Sequence, residues 1–482
     1  MRRYTILTLF FFLTGLPLLA QEETPEELYD DGEYFFYREE YEEAAYLFRQ
    51  VLKEEPGNGN VLYMLGMSYL NIPGQEDQAI PMLEEAVNYI APNHRKTTFE
   101  SKEAPQYTWF YLGNAYRIDN QLDKALEAYN AFRNLRNFEK HYNVKIVENE
   151  VKAVERAKII KDAPVEITAW CLEEPINSPQ DDYSGVISAN EKVMVWVNSQ
   201  KFYEAIMMSI KRDGKWIEPV NITSQIGSDG DLFPTGLSAD GTELYLIRRG
   251  TIDSDIYYSR FDGSLWSTAV PLSGEVNSNY TEDFASVSAD GTTLLLSSDR
   301  PGSLGGLDLF YSMHQPDGTW GKPIPFGEPV NTENDESYPY LSPDDQTLYF
   351  SSKGHYNMGG YDVFYSRVNA DRSMSLPVNI GFPINTTGDN TGFVPLKDGI
   401  SGLYSRYTNE GIGNEDLWMI EIVPFKNLIA KSLSRLSDED FTIELTGDDG
   451  EKITLRYDAV KDVITVVSEN GSRYSVVYSK EE

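Results

Sequence analysis

The stretch SSDRPGSLGGLDLFYS (Ser297–Ser312) returns further along the chain as SSKGHYNMGGYDVFYS (Ser351–Ser366). The two copies share paired serines, paired glycines, one Asp and the ending FYS. Apolar alternation before each copy and the aromatic ending indicate two strands joined by a glycine-rich turn. We expect the Gly-Gly pair to supply positive φ angles in that turn. We expect the Asp to accept hydrogen bonds from the backbone N–H groups of the turn.

A second signal precedes each copy and extends the repeat in both directions. The turn-and-strand sequences SADGTELYLI, SADGTTLLLS and SPDDQTLYFS and two weaker copies begin at Ser238, Ser288, Ser342, Ser188 and Pro395. The spacing is about fifty residues, and each unit holds signals for four short strands. Five such units predict a five-bladed β-propeller over residues 165–424.

The two ends of this region are incomplete in complementary ways. The last unit stops at Pro424 without an outermost strand, whereas VEITAWCLEEPIN (Val165–Asn177) has the outermost-strand pattern but no blade before it. We therefore expect residues 165–174 to pair with the strand around Leu417–Val423 and close the ring, because closure removes exposed strand edges. Closure would place Cys171, the only cysteine, in a sheet as a packed side chain.

The propeller motifs carry a family resemblance. S-x-D-G and GG-x-D-[LIV]-F-Y-S are similar to the WD40-like (PD40) repeat of Tol-system propellers and of many exported proteins of the Bacteroidota. The resemblance covers about 260 residues. It implies a propeller, which the strand pattern predicts independently.

The N-terminal region repeats with a helical period. PEELYDDGEYFFYREEYEEAAYLFRQVLKEEPGN (Pro25–Asn58) contains two amphipathic blocks separated by a short turn. A later copy has Trp109, Leu112, Gly113 and Tyr116 in the spacing W-x2-L-G-x2-Y. This region resembles the tetratricopeptide family. It predicts a helical solenoid of three repeats plus a capping helix over residues 24–162, so the fold class is a multidomain α plus all-β protein.

The solenoid resemblance implies a concave groove that binds a peptide. The candidate groove residues are Tyr29, Glu33, Tyr63, Met67, Phe110, Asn114 and Arg117. The family's clamp for a terminal carboxylate uses Lys, Arg and Asn, which this chain replaces mainly with aromatic and acidic residues. An aromatic, acidic groove favours an apolar or basic protein segment. The alternative is that these aromatic side chains pack against the propeller.

The two ends of the chain carry further signals. Arg2 and Arg3 precede an apolar run from Ile6 to Leu19 and the small Ala20, which predicts a signal peptide over residues 1–20. A retained signal anchor is the alternative. At the other end, residues 425–440 are typical of a linker, and residues 441–482 predict a small antiparallel β module of about four strands.

Composition excludes several classes of function. The net charge of −35 disfavours nucleic-acid binding and is compatible with basic partners. No cofactor or metal site is predicted, because the four histidines lie far apart without ligand spacing. The acids at the blade entrances, Asp182, Asp231, Asp283 and Glu336, recur with the blade period, which indicates a structural role. A Ca²⁺ site near Asp299 or Asp308 is an alternative to plain glycine-rich turns.

The sequence thus predicts an exported, non-enzymatic protein–protein interaction scaffold at the bacterial cell envelope, periplasmic, outer-membrane associated or secreted. The alternative is a carbohydrate-binding or glycoside-hydrolysing five-bladed propeller. A solenoid joined to such a propeller resembles the N-terminal part of OmpA-family and type IX secretion periplasmic proteins of the Bacteroidota. The chain departs from them because it lacks a lipobox Cys near Ala20 and the OmpA-like domain.

Overall fold

The computed structural model describes residues 23–92, 98–250, 254–272, 275–369, 371–396, 401–408 and 410–422, and four strands between residues 441 and 477. The predicted signal peptide and linker lie outside the described residues.

The N-terminal region is helical, as predicted. Its elements are α1 (Pro25–Tyr37), α2 (Tyr41–Glu54), α3 (Gly59–Leu70), α4 (Glu76–Ala86), a 3-10 turn (Val87–Tyr89), α5 (Thr108–Ile118), α6 (Leu122–Arg133), α7 (Phe138–His141) and α8 (Val144–Asp162). α1 begins with a capping box in which Thr24 and Glu27 each bond the other's backbone N–H. α8 follows the three helix pairs, at the place of the predicted capping helix.

Three glycines at equivalent positions set the helix pairs close together. A Cβ atom at Gly32 would lie 2.8 Å from the Phe48 ring, and one at Gly66 would lie 2.7 Å from Leu83. At Gly113 it would lie 2.4 Å from the Tyr129 ring. The side chain of the second helix of each pair fills the space above the glycine of the first. The same arrangement occurs in three helix pairs, α1–α2, α3–α4 and α5–α6.

The propeller consists of short antiparallel strands. They are β1 (Ile167–Cys171), β2 (Asp182–Ile187), β3 (Val193–Gln200), β4 (Tyr203–Arg212), β5 (Lys215–Trp216), β6 (Val220–Asn221), β7 (Leu232–Leu237), β8 (Glu243–Arg249), β9 (Ser254–Arg260), β10 (Val270–Pro271), β11 (Glu282–Val287), β12 (Thr293–Ser298), β13 (Asp308–Met313), β14 (Ile324–Pro325), β15 (Glu336–Leu341), β16 (Thr347–Ser352), β17 (Asp362–Arg367), β18 (Val378–Asn379), β19 (Val394–Pro395), β20 (Ser401–Tyr407) and β21 (Glu415–Ile422).

These strands form five blades, which confirms the predicted five-bladed propeller. Blade 1 has the order β2-β3-β4, with β5 and β6 both paired to β4. Blades 2, 3 and 4 are β7 to β10, β11 to β14 and β15 to β18 in sequence order. Blade 5 has the order β19-β20-β21-β1. Large side chains such as Trp196, Phe284, Tyr340 and Leu417 pack together in one apolar cluster between blades.

The ring closes as the sequence predicted. β1 pairs antiparallel with β21, from Ile167 opposite Ile422 to Cys171 opposite Trp418. Leu172 N continues the ladder by donating to Leu417 O at 3.0 Å. Val423, the last residue of the predicted partner strand, lies outside the described residues. A strand from the start of the domain thus completes its last blade.

An asparagine joins successive blades in the four connecting segments PINS (Pro175–Ser178), EVNS (Glu275–Ser278), PVNT (Pro329–Thr332) and PINT (Pro383–Thr386). Asn331 accepts from Leu309 N at 3.0 Å and donates through Nδ2 to Leu309 O at 3.1 Å, in the third strand of the preceding blade. The same bonds join Asn177 to Leu417, Asn277 to Ile256 and Asn385 to Val363. At the remaining junction, Thr223 Oγ1 accepts from Ile206 N at 2.8 Å.

We expect Asn331→Ala to destabilise the propeller by about 1–3 kcal/mol, because it leaves a buried backbone N–H and C=O of Leu309 without their partner. Urea unfolding followed by tryptophan fluorescence measures this. Asn279→Ala, at an exposed position of the preceding inter-blade connection, is the control and should change stability by less than about 0.5 kcal/mol. Equal effects of the two substitutions would contradict the role of Asn331.

The glycine prediction is correct for one copy of the opening repeat and wrong for the other. Gly359 and Gly360 have φ of 129° and 65°, but Gly305 and Gly306 are absent from the positive-φ glycines, and Gly302 takes that conformation instead, at 113°. A Cβ atom at Gly305 would lie 2.4 Å from Asn334 O of the next inter-blade connection. That glycine is needed for close approach between neighbouring loops.

The C-terminal strands form a separate sheet. β22 (Phe441–Thr446), β23 (Lys452–Asp458), β24 (Val463–Ser468) and β25 (Arg473–Val477) pair antiparallel in sequence order. This agrees with the predicted module of about four strands.

Candidate functional site

The first helices of the repeats bring a cluster of tyrosines together. The Tyr63 ring lies 5.5 Å from that of Tyr107 and 6.2 Å from that of Tyr111, and the latter two are 6.1 Å apart. Tyr37, at the end of α1, lies near Tyr63 and Tyr107 and is 67% exposed. We call Tyr37, Tyr63, Tyr107 and Tyr111 the tyrosine surface. It places aromatic faces from all three repeats side by side.

Burial keeps three phenols of this surface protonated. Burial raises the pKa of Tyr63, Tyr107 and Tyr111 above the ordinary value of a tyrosine. The surface therefore offers aromatic faces and hydroxyl donors without charge. This combination suits apolar groups and the faces of Lys or Arg side chains in a protein segment.

The seven predicted groove residues do not form one open surface. Tyr29 is 1% exposed and packs on Phe48 and Phe99 inside the solenoid. Tyr63 is buried beneath the other tyrosines, and Phe110 packs against Tyr129 and Phe132 of the same repeat.

The remaining predicted residues differ in their surroundings. Glu33 and Met67 are partly exposed. Asn114 is also partly exposed and accepts a hydrogen bond from Tyr129 Oη at 2.7 Å. None of these placements tests peptide binding, which stays a prediction.

Arg117 is not in the groove but at the contact between solenoid and propeller. It is 6% exposed, donates to the backbone O of Thr387 before blade 5, and lies 3.1 Å from the Glu150 carboxylate of α8. A Cβ atom at Gly359 in blade 4 would lie 2.4 Å from the Arg117 guanidinium. The repeat pattern placed Arg117 on a first helix correctly, but it contains no information on which end of that helix meets the propeller.

A second arginine extends this junction. Arg156 of α8 donates to His355 O at 3.1 Å and to Asn357 Oδ1 at 3.2 Å, and its guanidinium lies 5.0 Å from the Tyr356 ring centroid. Thr387 Oγ1 donates to Ile118 O at 3.2 Å. The solenoid therefore contacts loops of blades 4 and 5 through Arg117, Arg156 and the Ile118 carbonyl oxygen.

The blade-entrance acids have structural partners. Asp182 accepts from Trp196 Nε1 and Asn198 Nδ2, both at 2.8 Å. Glu336 accepts from Thr332 N at 2.7 Å and from Ser352 Oγ at 2.7 Å.

The predicted set of acids mixed three positions of the repeat. The equivalent of Glu336 in blade 3 is the buried Glu282, which bonds Ser278 and Arg300, and not Asp283. Asp231 occupies the preceding position of the motif and pairs with Arg248. These repeated structural roles do not favour the carbohydrate-active alternative.

The protonation of Glu336 should contribute to the pH dependence of the free energy of unfolding. Burial raises its pKa from 4.5 to about 7, although hydrogen bonds from Thr332 and Ser352 oppose the shift. The folded state then binds more protons than the unfolded state between about pH 4.5 and pH 7, so stability falls as pH rises through this window. We expect Glu336→Gln to remove up to about 3 kcal/mol of this pH dependence in urea unfolding between about pH 5 and pH 8. An unchanged slope would contradict the assignment.

The loop acids proposed for Ca²⁺ are bonded to backbone donors. Asp308 accepts from Leu304 N at 2.8 Å and Gly305 N at 3.2 Å, as predicted for this turn. Asp299 accepts from Thr281 N at 2.8 Å. Within the described ranges, no group of three or more His, Cys, Asp or Glu side chains is placed to hold a metal ion.

Cys171 lies in β1, as closure required. It is partly buried, and Asn177 Nδ2 donates to its sulfur at 3.2 Å. Burial raises the pKa of the thiol, which lowers the thiolate fraction on which cysteine reactivity depends.

The comparison with protein families supports the helical part of this architecture. The family model described as Tetratricopeptide repeat matches residues 35–94. No curated protein matches the chain at a significant level. None of the helices in the described ranges is both long and apolar enough to cross a bilayer.

Solved structures resemble each part separately. TolB from Acinetobacter baumannii is 15% identical over 50% of this chain and 54% of its own, with a TM-score of 0.32. The chain thus spans about half the length of that TolB. The Sgt2 TPR domain from Aspergillus fumigatus is 20% identical over 31% of this chain and 89% of its own, with a TM-score of 0.23.

An α-L-arabinofuranosidase from Podospora anserina is 11% identical over 54% of this chain and 98% of its own, with a TM-score of 0.37. At such identities and TM-scores no activity is transferred. Fold and family match together define the class: a tetratricopeptide-repeat solenoid joined to a five-bladed β-propeller, an architecture that suits a protein-interaction scaffold.

Proposed function

We propose that the chain is a non-catalytic protein-interaction scaffold at the bacterial cell envelope. The observation that carries the proposal is the tyrosine surface, where the largely exposed Tyr37 lies near Tyr107, and the Tyr107 ring lies 6.1 Å from that of Tyr111. Tyrosines dominate the energetic centres of protein interfaces, because they bury a large apolar area and keep a polar group for hydrogen bonding. The net charge of −35 favours encounter with basic segments.

The propeller is the second half of the scaffold. Its closed ring and its asparagine contacts between blades give a rigid disc. The buried Arg117 joins the solenoid to blades 4 and 5, so two binding surfaces keep a fixed relation. In this proposal the solenoid holds a segment of one protein and the propeller face meets another, as part of outer-membrane or secretion machinery.

Affinity capture from envelope fractions tests the scaffold. The full-length protein should retain a specific partner, and Tyr37→Ala with Tyr111→Ala should lower the captured amount at least about ten-fold, as expected for loss of interface hot spots. Tyr46→Ala is the matched control, because Tyr46 is 58% exposed on the second helix of the first repeat. Equal capture by both variants would refute the tyrosine surface as the binding site.

Export is the remaining part of the proposal. Processing near Ala20 should give a mature protein that lacks residues 1–20 and appears in periplasmic or outer-membrane fractions. Intact mass of the protein from those fractions measures this. A mass that includes residues 1–20, or recovery from the cytoplasm alone, would reject it.

A further inference from the structure

The connection between the second and third repeats is longer than the repeat requires. Residues 90–107 separate the 3-10 turn from α5, whereas residues 55–58 suffice between α2 and α3. Because a tetratricopeptide repeat needs only 34 residues, this connection contains additional chain. Part of it, Thr98–Ala104, lies on the first and second repeats, and we call it the docked segment.

Backbone groups of the docked segment are recognised by the solenoid. Gly59 N, at the start of α3, donates to Lys102 O at 3.0 Å. Asn60 Nδ2 donates to Thr98 O at 3.3 Å and to Tyr29 Oη at 3.0 Å. At the end of the segment, Ala104 N donates to Tyr89 O at 3.0 Å, and Ala104 O accepts from Ala91 N at 3.3 Å. All of these bonds use only backbone groups of the segment, so a peptide of different sequence could form them as well.

Two side chains of the docked segment are recognised, three residues apart. The Phe99 ring lies 5.9 Å from the Tyr29 ring. Lys102 Nζ forms an ion pair with the Glu55 carboxylate and lies 4.5 Å from the Phe99 ring centroid. The solenoid therefore presents an aromatic platform and a carboxylate at a spacing that fits an aromatic residue followed three residues later by a cation.

Apart from the buried Ala104, the side chains of the docked segment make few buried contacts. Glu100, Lys102 and Glu103 are exposed, and Phe99 is only partly buried. An ion pair in contact with solvent contributes little to stability. Segments with few buried apolar contacts open at low free-energy cost, so this one can be displaced.

We propose that Tyr29, Glu55, Gly59 and Asn60 form a docking subsite for a partner segment with an aromatic residue followed three residues later by Lys or Arg, and that Thr98–Ala104 is its internal occupant. The inference rests on the proposed scaffold function and names the partner chemistry at one part of the solenoid. The negative charge of the chain favours a basic competitor. The tethered segment acts at an effective concentration of about millimolar, which such a competitor must overcome.

Fluorescence anisotropy with a labelled peptide TFESKEA, the sequence of the docked segment, tests this on the full-length protein. Phe99→Ala with Lys102→Ala weakens the internal occupant, so the peptide should bind this variant at least about ten-fold more tightly than the wild type. Adding Asn60→Ala should abolish the gain. Glu100→Ala, an exposed change within the segment, should bind as the wild type does.

Absence of binding to a folded Phe99→Ala, Lys102→Ala variant would overturn the proposal. If that variant does not fold, Lys102→Glu replaces it, because repulsion from Glu55 weakens the occupant while Phe99 is retained; no gain in peptide binding would then refute the subsite. Dimerisation of the variants in size-exclusion chromatography, in place of peptide binding, would also overturn it, since a second copy would then be the occupant. If the peptide does not bind while capture of a partner still depends on Tyr37 and Tyr111, the docking subsite is refuted and the proposed scaffold function is retained.

Discussion

A chain that begins at Gln180 is expected to be insoluble or aggregated. It lacks β1, so the edge of β21 from Leu417 to Ile422 loses its partner strand. It also lacks Asn177, which bonds the backbone N–H and C=O of Leu417, and the buried Ile176. An unpaired, apolar strand edge is a template for aggregation.

A chain that begins at Val165 is the matched control. It lacks the solenoid as well but keeps β1 and Asn177, so it should be soluble and monomeric in size-exclusion chromatography. Comparison of the two therefore isolates the closing strand from the loss of the solenoid. A soluble, monomeric protein beginning at Gln180 with a cooperative thermal transition would show that β1 is dispensable.

Ring closure could be predicted because the propeller is periodic. Each blade repeats the same strand signals, so a missing strand at one end and a surplus strand at the other are visible in the sequence. The helix pairs were equally predictable, since Gly32, Gly66 and Gly113 mark the points where backbones approach. Because each blade and each helix pair packs in the same way, the residues that this packing requires recur along the sequence at regular intervals.

Features that occur once in the chain were not predictable. The docked segment lies in a connection with no repeat pattern, and its contact to Asn60 is visible only in three dimensions. Arg117 occupies a groove position by pattern, but the junction with the propeller buries it. Neither effect has a local sequence signature, because both depend on contacts between parts of the chain that are distant in sequence.

The positions of the acids at the blade entrances could be predicted only in part. Adjacent acids such as Glu282 and Asp283 are hard to distinguish in a repeat whose connections vary in length. The structure separates them, since Glu282 is buried against Ser278 and Arg300 whereas Asp283 is only partly buried. A register error of one residue in a strand exchanges the two faces of the sheet.

Gly113→Leu should be the most damaging single substitution in the solenoid. The position has no space for a side chain, because even a Cβ atom would lie 2.4 Å from Tyr129 Cε1. Tyr129 cannot move easily, since its hydroxyl donates to Asn114 and its ring contacts Phe110. Overpacking of this kind costs about 1–3 kcal/mol and occasionally more. We expect the helical circular dichroism signal to melt at a clearly lower temperature.

Two further variants make the Gly113 result specific. Glu127→Leu adds the same side chain at an exposed position of α6 and should leave the melting temperature nearly unchanged. Tyr129→Ala combined with Gly113→Leu removes the ring that the leucine would meet, so the double variant should lose less stability than the two single effects added together. Additive losses of stability, or a Gly113→Leu protein that melts at the wild-type temperature, would contradict this. Either result would mean that the contact between α5 and α6 does not require a residue without a side chain at position 113.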